Sequence, residues 1–416
     1  MKILHIVAGN LDNGAARGAY WLHKALLREG VESRIFTNSA MTFSDDSVTS
    51  TVNSDIDRVI SVVRSRLDRM PFSFYKRGIK GFSSGMVGTD FTDSEEYEDA
   101  DIIHLHWING GFVNLSDLKK VDKPIVWTLR DMWPFTGGCH YSMECDRFRD
   151  GCGRCPRLGS EREYDISRFI LSRKMKVLPK SIYPVGISRW ISRQAEESSL
   201  FRNFDISTIE NAIDTDLFFP IDKRIARSVL GIDSDKKILL TGAKSIDAFY
   251  KGFDLFIEAL RYLPKERYLL CFFGELDKSV VDKTGFEYMD FGYLHDSISL
   301  RLAYSCADIF VAPSRMEAFG KTIAESMACG TPVVCFDATG PADIVRHEKD
   351  GYLAKPFAPD SLAEGIEWIA MSDRADEIGL SASKRAGEHY SGERAAREYI
   401  SLYDRIMEER SRWIEL

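Results

Sequence analysis

Apolar and polar positions along this chain fall into two rhythms. KILHIVA (2–8) is a short, nearly continuous apolar run. GAARGAYWLHKALLRE (14–29) then spaces its apolar residues three to four apart, as one helix face does, with Gly30 as the stop before a second short run, SRIFTN. That order predicts a βαβ start. DIIHLHW (101–107) and PIVWTL (124–129) are again continuous apolar runs between polar or proline breakers, as strands buried on both faces of a parallel sheet tend to be. The polar, proline-containing stretch 214–234 reads as a domain connection. Beyond it, KILLTGA, YLLCFFG, FEYMDFG, DIFVAPS, PVVCFD and GYLAKP alternate with helical segments such as KGFDLFIEALRYL and ISLRLAYSCA. The last segment, ERAAREYISLYDRIMEERSRW, predicts a long amphipathic helix whose Tyr399, Tyr403 and Trp413 pack back across the first domain.

The expected fold class is therefore α/β, with two doubly wound Rossmann-like domains facing across a cleft: residues 1–213 with the terminal helix 394–416, and residues 214–393. A chain of 416 residues agrees, because single cores stop growing at roughly 250 to 300 residues. Apolar content of 44% and charged content of 28% mark a globular protein, and a net charge of −8 argues against a nucleic-acid partner. MKILHIVAG is too short for a signal-peptide apolar region, and no run approaches a membrane span, so the expectation is a cytoplasmic protein, soluble or at the inner face of the membrane. Eight cysteines should then be reduced.

The segment SRMEAFGKTIAESMACGTPVVCFDATGPADIVRHEKDGYL carries the most chemistry. A strand leads to Glu317, then to AFGK, then to a helix holding Glu325, with Gly330 ending it. Backbone N–H groups at Ala318, Phe319, Gly320 and Lys321 would lie at a helix start, an arrangement that binds phosphate. Glu317 could accept from sugar hydroxyls and Glu325 from a ribose, whereas two isolated glutamates would more often be solvated surface groups.

The pair is not isolated. Glu, seven residues, Glu, then a small residue with Gly-x-Pro-Val-Val and a later Asp-Gly resembles the signature of the family-4 retaining glycosyltransferases of the GT-B fold. DNGAARGAYWLHKALLREG resembles the family's N-terminal glycine loop and first helix, and YKGFDLFIEAL resembles the helix with its diphosphate-binding lysine. The resemblance covers nearly the whole chain. It implies a nucleotide-diphosphate sugar donor, UDP or GDP, in the second domain, an acceptor in the first, and transfer with retained configuration and no metal cofactor. Lys251 would stabilise the leaving diphosphate, Glu317 would hold the donor sugar, Glu325 the ribose, Gly14 and Ala15 the phosphates, and Leu294 the base. Lys244 is a second phosphate candidate, displaced by one position because Ala243 follows the glycine.

Where many family members have His-Asp after PIVWTL, this chain has Arg130-Asp131. A guanidinium there suits a carboxylate on a uronic-acid-type donor, or else it pairs with Asp131 or a neighbouring carboxylate. His104 and His106 are expected to pack at the strand end, with His106 and Asp131 on the acceptor side. The Asp-x-Asp at 214–216 reads as part of the connection and not as a metal site.

The loop 137–158 holds Cys139, Cys145, Cys152 and Cys155. Four soft ligands suffice for a closed structural zinc site and leave no open position for metal catalysis; free, partly buried thiols are the alternative. In DIDRVISVVRSRLDRMPFSFYKRGIKG, the residues Ile56, Val59, Ile60, Val63, Leu67 and Met70 fall at helical spacing among Arg58, Arg64, Arg66, Arg69, Lys76, Arg77 and Lys80. The first expectation is a helix packed on its own sheet. The second is a helix resting on an anionic membrane beside a lipid-linked acceptor.

The reading is thus a glycosyltransferase that extends a surface polysaccharide on a saccharide or lipid-linked saccharide. A GT-B epimerase or phosphorylase, or a non-catalytic sugar-nucleotide or zinc-dependent assembly protein, are the alternatives. An epimerase would turn over donor alone, a phosphorylase would need phosphate, and an assembly protein would bind without releasing nucleotide.

Overall fold

The apolar runs become buried strands of two parallel sheets in a computed structural model that describes residues 1–11, 14–40, 44–77, 81–179 and 181–414. The chain divides into unit 1, Met1–Glu210 with Ala395–Leu416, and unit 2, Asn211–Arg394.

Unit 1 holds seven strands in the order β3-β2-β1-β4-β5-β6-β7. They are β1 (Lys2–Val7), β2 (Glu32–Thr37), β3 (Val48–Ser50), β4 (Ile102–Leu105), β5 (Ile125–Leu129), β6 (Ile182–Gly186) and β7 (Ser207–Thr208). Every pairing is parallel. β4 and β5 are buried at every position, which is why their sequences show no polar alternation. The strand order reverses between β1 and β4, and ligands of open α/β sheets bind at such points, outside the carboxyl ends of the strands.

Unit 2 repeats the plan with six strands in the order β10-β9-β8-β11-β12-β13. These are β8 (Lys237–Ser245), β9 (Tyr268–Glu275), β10 (Tyr288–Asp290), β11 (Ile309–Ala312), β12 (Val333–Phe336) and β13 (Gly351–Ala354). Phe256, Tyr268 and Phe272 have no exposed surface in its core, and each such side chain contributes about 1.5–3 kcal/mol of burial. The reversal here lies between β8 and β11.

The terminal helix Gly392–Ile414 buries Tyr399 and Tyr403 in unit 1, where their hydroxyls meet Thr128 Oγ1 at 2.7 Å and His104 Nδ1 at 2.6 Å. The Trp413 side chain lies outside the described residues, as does Lys80. Among the described residues no helix is long and apolar enough to cross a membrane. Asp214 serves a local turn, its Oδ1 accepting from Asp216 N and Leu217 N.

One expectation fails. The helix Asp55–Arg69 does not lay its apolar stripe on the sheet: Ile56 is 72% exposed and Val59 62%, with Ile60, Val63, Leu67 and Met70 also exposed. Its one buried residue is Asp68, whose Oδ1 accepts from Ser84 N, Ser84 Oγ and Gly85 N. Arg64, one turn earlier, bonds Thr89 Oγ1, and a Cβ at Gly111 would lie 2.5 Å from the Arg64 backbone. The helix therefore docks by its Arg64–Asp68 side, because three hydrogen bonds to a buried carboxylate fix that face and turn the apolar one outward.

Candidate active site

The unit 2 site is assembled where β8 and β11 end. After β8 a short 3-10 turn, Phe249–Lys251, leads to Gly252, which caps the next helix, Phe253–Ala259. Gly252 has φ 68°, and a Cβ there would lie 1.9 Å from Pro313 O, so only glycine lets this turn press on the loop after β11. Tyr250 O accepts from both Arg315 N (2.9 Å) and Met316 N (3.2 Å), and Arg315 pairs with both oxygens of Asp254 at 2.6 Å. The turn is thus tied to the segment that carries Glu317.

That tie brings Lys251 Nζ into an ion pair with Glu317 Oε1, both half-buried. Burial opposes the ammonium charge, but Glu317, with Tyr250 behind it, more than offsets this and raises the Lys251 pKa. Ser314 Oγ also donates to Glu317 Oε1, at 3.3 Å. Gly340 N bonds Glu317 O at 3.0 Å, and a Cβ at Gly340 would collide with Ala318 and Phe319 at 2.7 Å. Gly320, at φ 114°, opens the helix Lys321–Ala328 with no side-chain cap, and the positive end of that helix favours an anion. Next to these groups is a small cavity lined by Thr241, Ala243, Lys251, Ser314 and Thr322.

Glu325 lies inside the fold, 2% exposed, with Oε2 accepting from Tyr304 OH at 2.9 Å. Its Oε1 is buried and has no partner among the described residues. An unsatisfied carboxylate oxygen costs about 1–3 kcal/mol, which a bound hydroxyl would remove. Lys244 is exposed beside an irregularity in β8 and does not line the cavity, and Leu294 is half-buried beyond β10. In unit 1, Gly14 is exposed at φ 58° and Ala15 half-buried at the start of the first helix.

The strand ends of unit 1 hold a different cluster. His5 on β1 faces His106, just past β4, with His5 Nδ1 2.8 Å from His106 Nε2; Arg130 Nη2 is 3.2 Å from His106 Nδ1. Guanidinium only donates, so His106 Nδ1 accepts, His106 Nε2 carries the proton toward His5 Nδ1, and His5 holds its own proton on Nε2. His104 is spanned by Tyr403 OH (2.6 Å) and Thr128 Oγ1 (2.7 Å). Burial, reinforced by Arg130, lowers the pKa of all three histidines well below that of free imidazole. Burial likewise draws Arg130 down to about 10.

Among the described residues, these histidines form the group of His, Cys, Asp or Glu ligand atoms lying within 4.8 Å of one another. Both ring nitrogens of His104 are already engaged and a guanidinium abuts His106, so the trio suits a fixed scaffold better than a cation. Asp131 turns away to His140 Nδ1 (2.6 Å), Trp107 Nε1 (2.9 Å) and Trp133 N (2.8 Å).

Tyr304, Ser314, His5 and His140 are the site residues that sequence reasoning did not mark. His140 adjoins Cys139 in the chain, but nothing in the sequence ties it to Asp131; the others meet their partners only through strand register or helix packing.

Residues 222–385 match the family model "Glycosyl transferases group 1". A protein of Escherichia coli strain K12, WcaC, assigned as a colanic acid biosynthesis glycosyl transferase, is 22% identical over 98% of this chain and 100% of its own. The N,N'-diacetylbacillosaminyl-diphospho-undecaprenol alpha-1,3-N-acetylgalactosaminyltransferase of Campylobacter jejuni is 29% identical over 46% of this chain and 51% of its own. The crystal structure of Anabaena HepE in complex with UDP and glucose superposes with a TM-score of 0.65, at 15% identity, over 97% of this chain and 99% of that one. At that identity the likeness is one of fold.

Proposed function

We propose that the chain, whose residues 222–385 match the group 1 glycosyltransferase model, moves a hexose from a UDP-sugar to a saccharide or lipid-linked saccharide acceptor of a surface polysaccharide, retaining the anomeric configuration without a catalytic metal. The observation that carries this reading is the Lys251–Glu317 pair beside the uncapped start of the Lys321–Ala328 helix, within the matched segment. Together they offer one mobile cation, one helix dipole and one carboxylate, the set a sugar diphosphate needs.

In this reading the diphosphate takes Lys251 from Glu317, which frees the carboxylate to accept from sugar hydroxyls, while Glu325 Oε1 accepts from the ribose. The C1–O bond to phosphate breaks as the acceptor oxygen bonds to C1 on the same face. The acceptor proton passes to the departing phosphate oxygen, so no side-chain base is required. Unit 1 takes the acceptor, with His106 holding Arg130 and with His140 and Trp107 holding Asp131. UDP-sugars are favoured by the UDP and glucose bound to HepE, and a lipid-linked acceptor by the name of the Campylobacter relative.

The exposed stripe of Ile56, Val59, Ile60 and Val63, beside exposed Arg58, Arg66, Arg69 and Lys76, fits an anionic membrane surface at which such an acceptor is held. Co-sedimentation with phosphatidylglycerol vesicles should be lost in a triple Arg58/Arg66/Arg69→Glu variant; no co-sedimentation of the parent protein at low salt would end this part of the reading.

The test of the function is product analysis. UDP-glucose, UDP-N-acetylglucosamine and UDP-glucuronate are offered with short saccharide and undecaprenyl-linked acceptors, in the presence of EDTA, and the new linkage is read by NMR. An α-linked product from an α-donor supports the proposal; an inverted product, or turnover of donor without acceptor, overturns it. Preference for the glucuronate would support recognition of the sugar carboxylate by Arg130.

A further inference from the structure

The glycosyl-transfer chemistry leaves the cysteine loop unused. Cys139, Cys145, Cys152 and Cys155 are all free thiols, and all four line a single cavity of about 20 Å³. That is room for one ion or one water, although the sulfurs are not gathered within 4.8 Å of one another as the unit 1 histidines are. No carboxylate lines it, and Phe82 and Phe148 close its apolar side.

Positive charge surrounds the thiols. Arg147 and Arg157 line the same cavity, Arg157 donating to Tyr141 O and stacking on Phe82 at 5.1 Å. Lys174 has no exposed surface; it lies 3.7 Å over the Trp133 ring, and its Nζ donates to Trp133 O and Thr136 O. A divalent ion held by four thiolates carries net negative charge, and Arg147 and Arg157, which line the same cavity, would be its counter-charges.

We propose that the four cysteines bind one structural zinc ion as a tetrathiolate, with Arg147 and Arg157 as its balancing cations. Coordination at about 2.3 Å draws the four sulfurs inward onto the ion, and each thiol gives up its proton. The site fills all four positions of zinc, so the ion takes no part in transfer. Its effect is on position. Cys139 bridges to Phe82, and the next residue bonds Met132 N through its carbonyl and Asp131 through its ring. Zinc would thus hold His140 against Asp131, at the strand end that also carries Arg130.

The test is metal content of the untagged full-length protein, by mass spectrometry of the elements, with sulfide assayed alongside. One zinc per chain, released in step with mercurial titration of the thiols, is the expected result. Cobalt replacement should add the visible absorption of a tetrahedral cobalt thiolate, and Cys152→Ser should abolish it. Because that variant could fail to fold, the zinc content and cobalt spectrum of the parent protein stand on their own. Iron with sulfide, disulfides between these cysteines, or four free thiols with no bound metal would each overturn the proposal. None of these results bears on nucleotide-sugar binding in unit 2, so the two readings fail separately.

Discussion

The two units end their sheets in the same place and fill that place in opposite ways. At the ends of β8 and β11, unit 2 gathers charge: Lys251 on Glu317, a helix start without a side-chain cap, and a buried carboxylate oxygen without a partner. At the ends of β1 and β4, unit 1 gathers buried histidines kept neutral and bonded to one another and to the Arg130 guanidinium: His5 to His106 to Arg130, and Tyr403 to His104 to Thr128. On the proposed reading the first arrangement would gain stability from a ligand, because an anion would pair with Lys251 and a hydroxyl would donate to Glu325 Oε1. The second is bonded largely within itself, with His5 Nε2 the ring nitrogen that has no partner among the described residues, and suits a rigid support. A shared frame therefore does not imply a shared task; that is decided by the polar groups at the strand ends.

Acid should separate the two most strongly. His5, His23, His104 and His106 are all buried in unit 1 with lowered pKa, His23 to about 4 by burial. The unfolded chain binds protons at these positions below pH about 6.5 while the folded chain does not, so stability is intact above that pH and falls as pH drops toward 4. His23 alone should account for on the order of 3 kcal/mol at pH 4. Melting curves from pH 7.5 to 4, with hydrogen exchange to locate the loss, should show unit 1 opening first; simultaneous loss in both units would break the comparison.

Removal of the unit 2 cation comes next. Lys251→Ala should lower kcat/KM by about 10²–10³, as loss of one group that stabilises transition-state charge does elsewhere, with the melting temperature little changed. A loss below tenfold would mean that Lys251 is only a partner for Glu317.

A smaller effect is expected at the support. Tyr403→Phe strands His104 Nδ1 and should cost about 1–3 kcal/mol of stability while leaving the KM for donor unaltered. Unfolding in urea and steady-state kinetics on the same preparation would check both halves. The smallest change is Glu325→Gln, which keeps an acceptor for Tyr304 and should raise the donor KM roughly three- to tenfold by weakening one hydrogen bond to the ribose.

How much of this the sequence discloses follows from the range of each interaction. DIIHLHW and PIVWTL declare β4 and β5 because burial on both faces is written in consecutive residues. Glu317 and Glu325 can be marked because the family signature that they resemble lies in one local strand-loop-helix segment. The Lys251–Glu317 contact spans 66 positions and the His5–His106 contact 101, and each depends on strand order that no local pattern carries. The Asp55–Arg69 helix shows the limit most plainly. Its period announces an apolar face, but which face docks was decided by Asp68 meeting Ser84 and Gly85, sixteen and seventeen residues on. Periodicity describes a helix and says nothing of its neighbour.

The central claim is that the sugar-diphosphate site proposed for unit 2 is built on Lys251. Thermal shift with UDP and UDP-sugars on the parent protein and Lys251→Ala tests it most directly, since a ligand at 100 times its Kd stabilises by about 2.7 kcal/mol. A clear rise in Tm for the parent protein, absent from Lys251→Ala, is the predicted result. An equal rise in both proteins, or none in the parent with any nucleotide sugar, would contradict it.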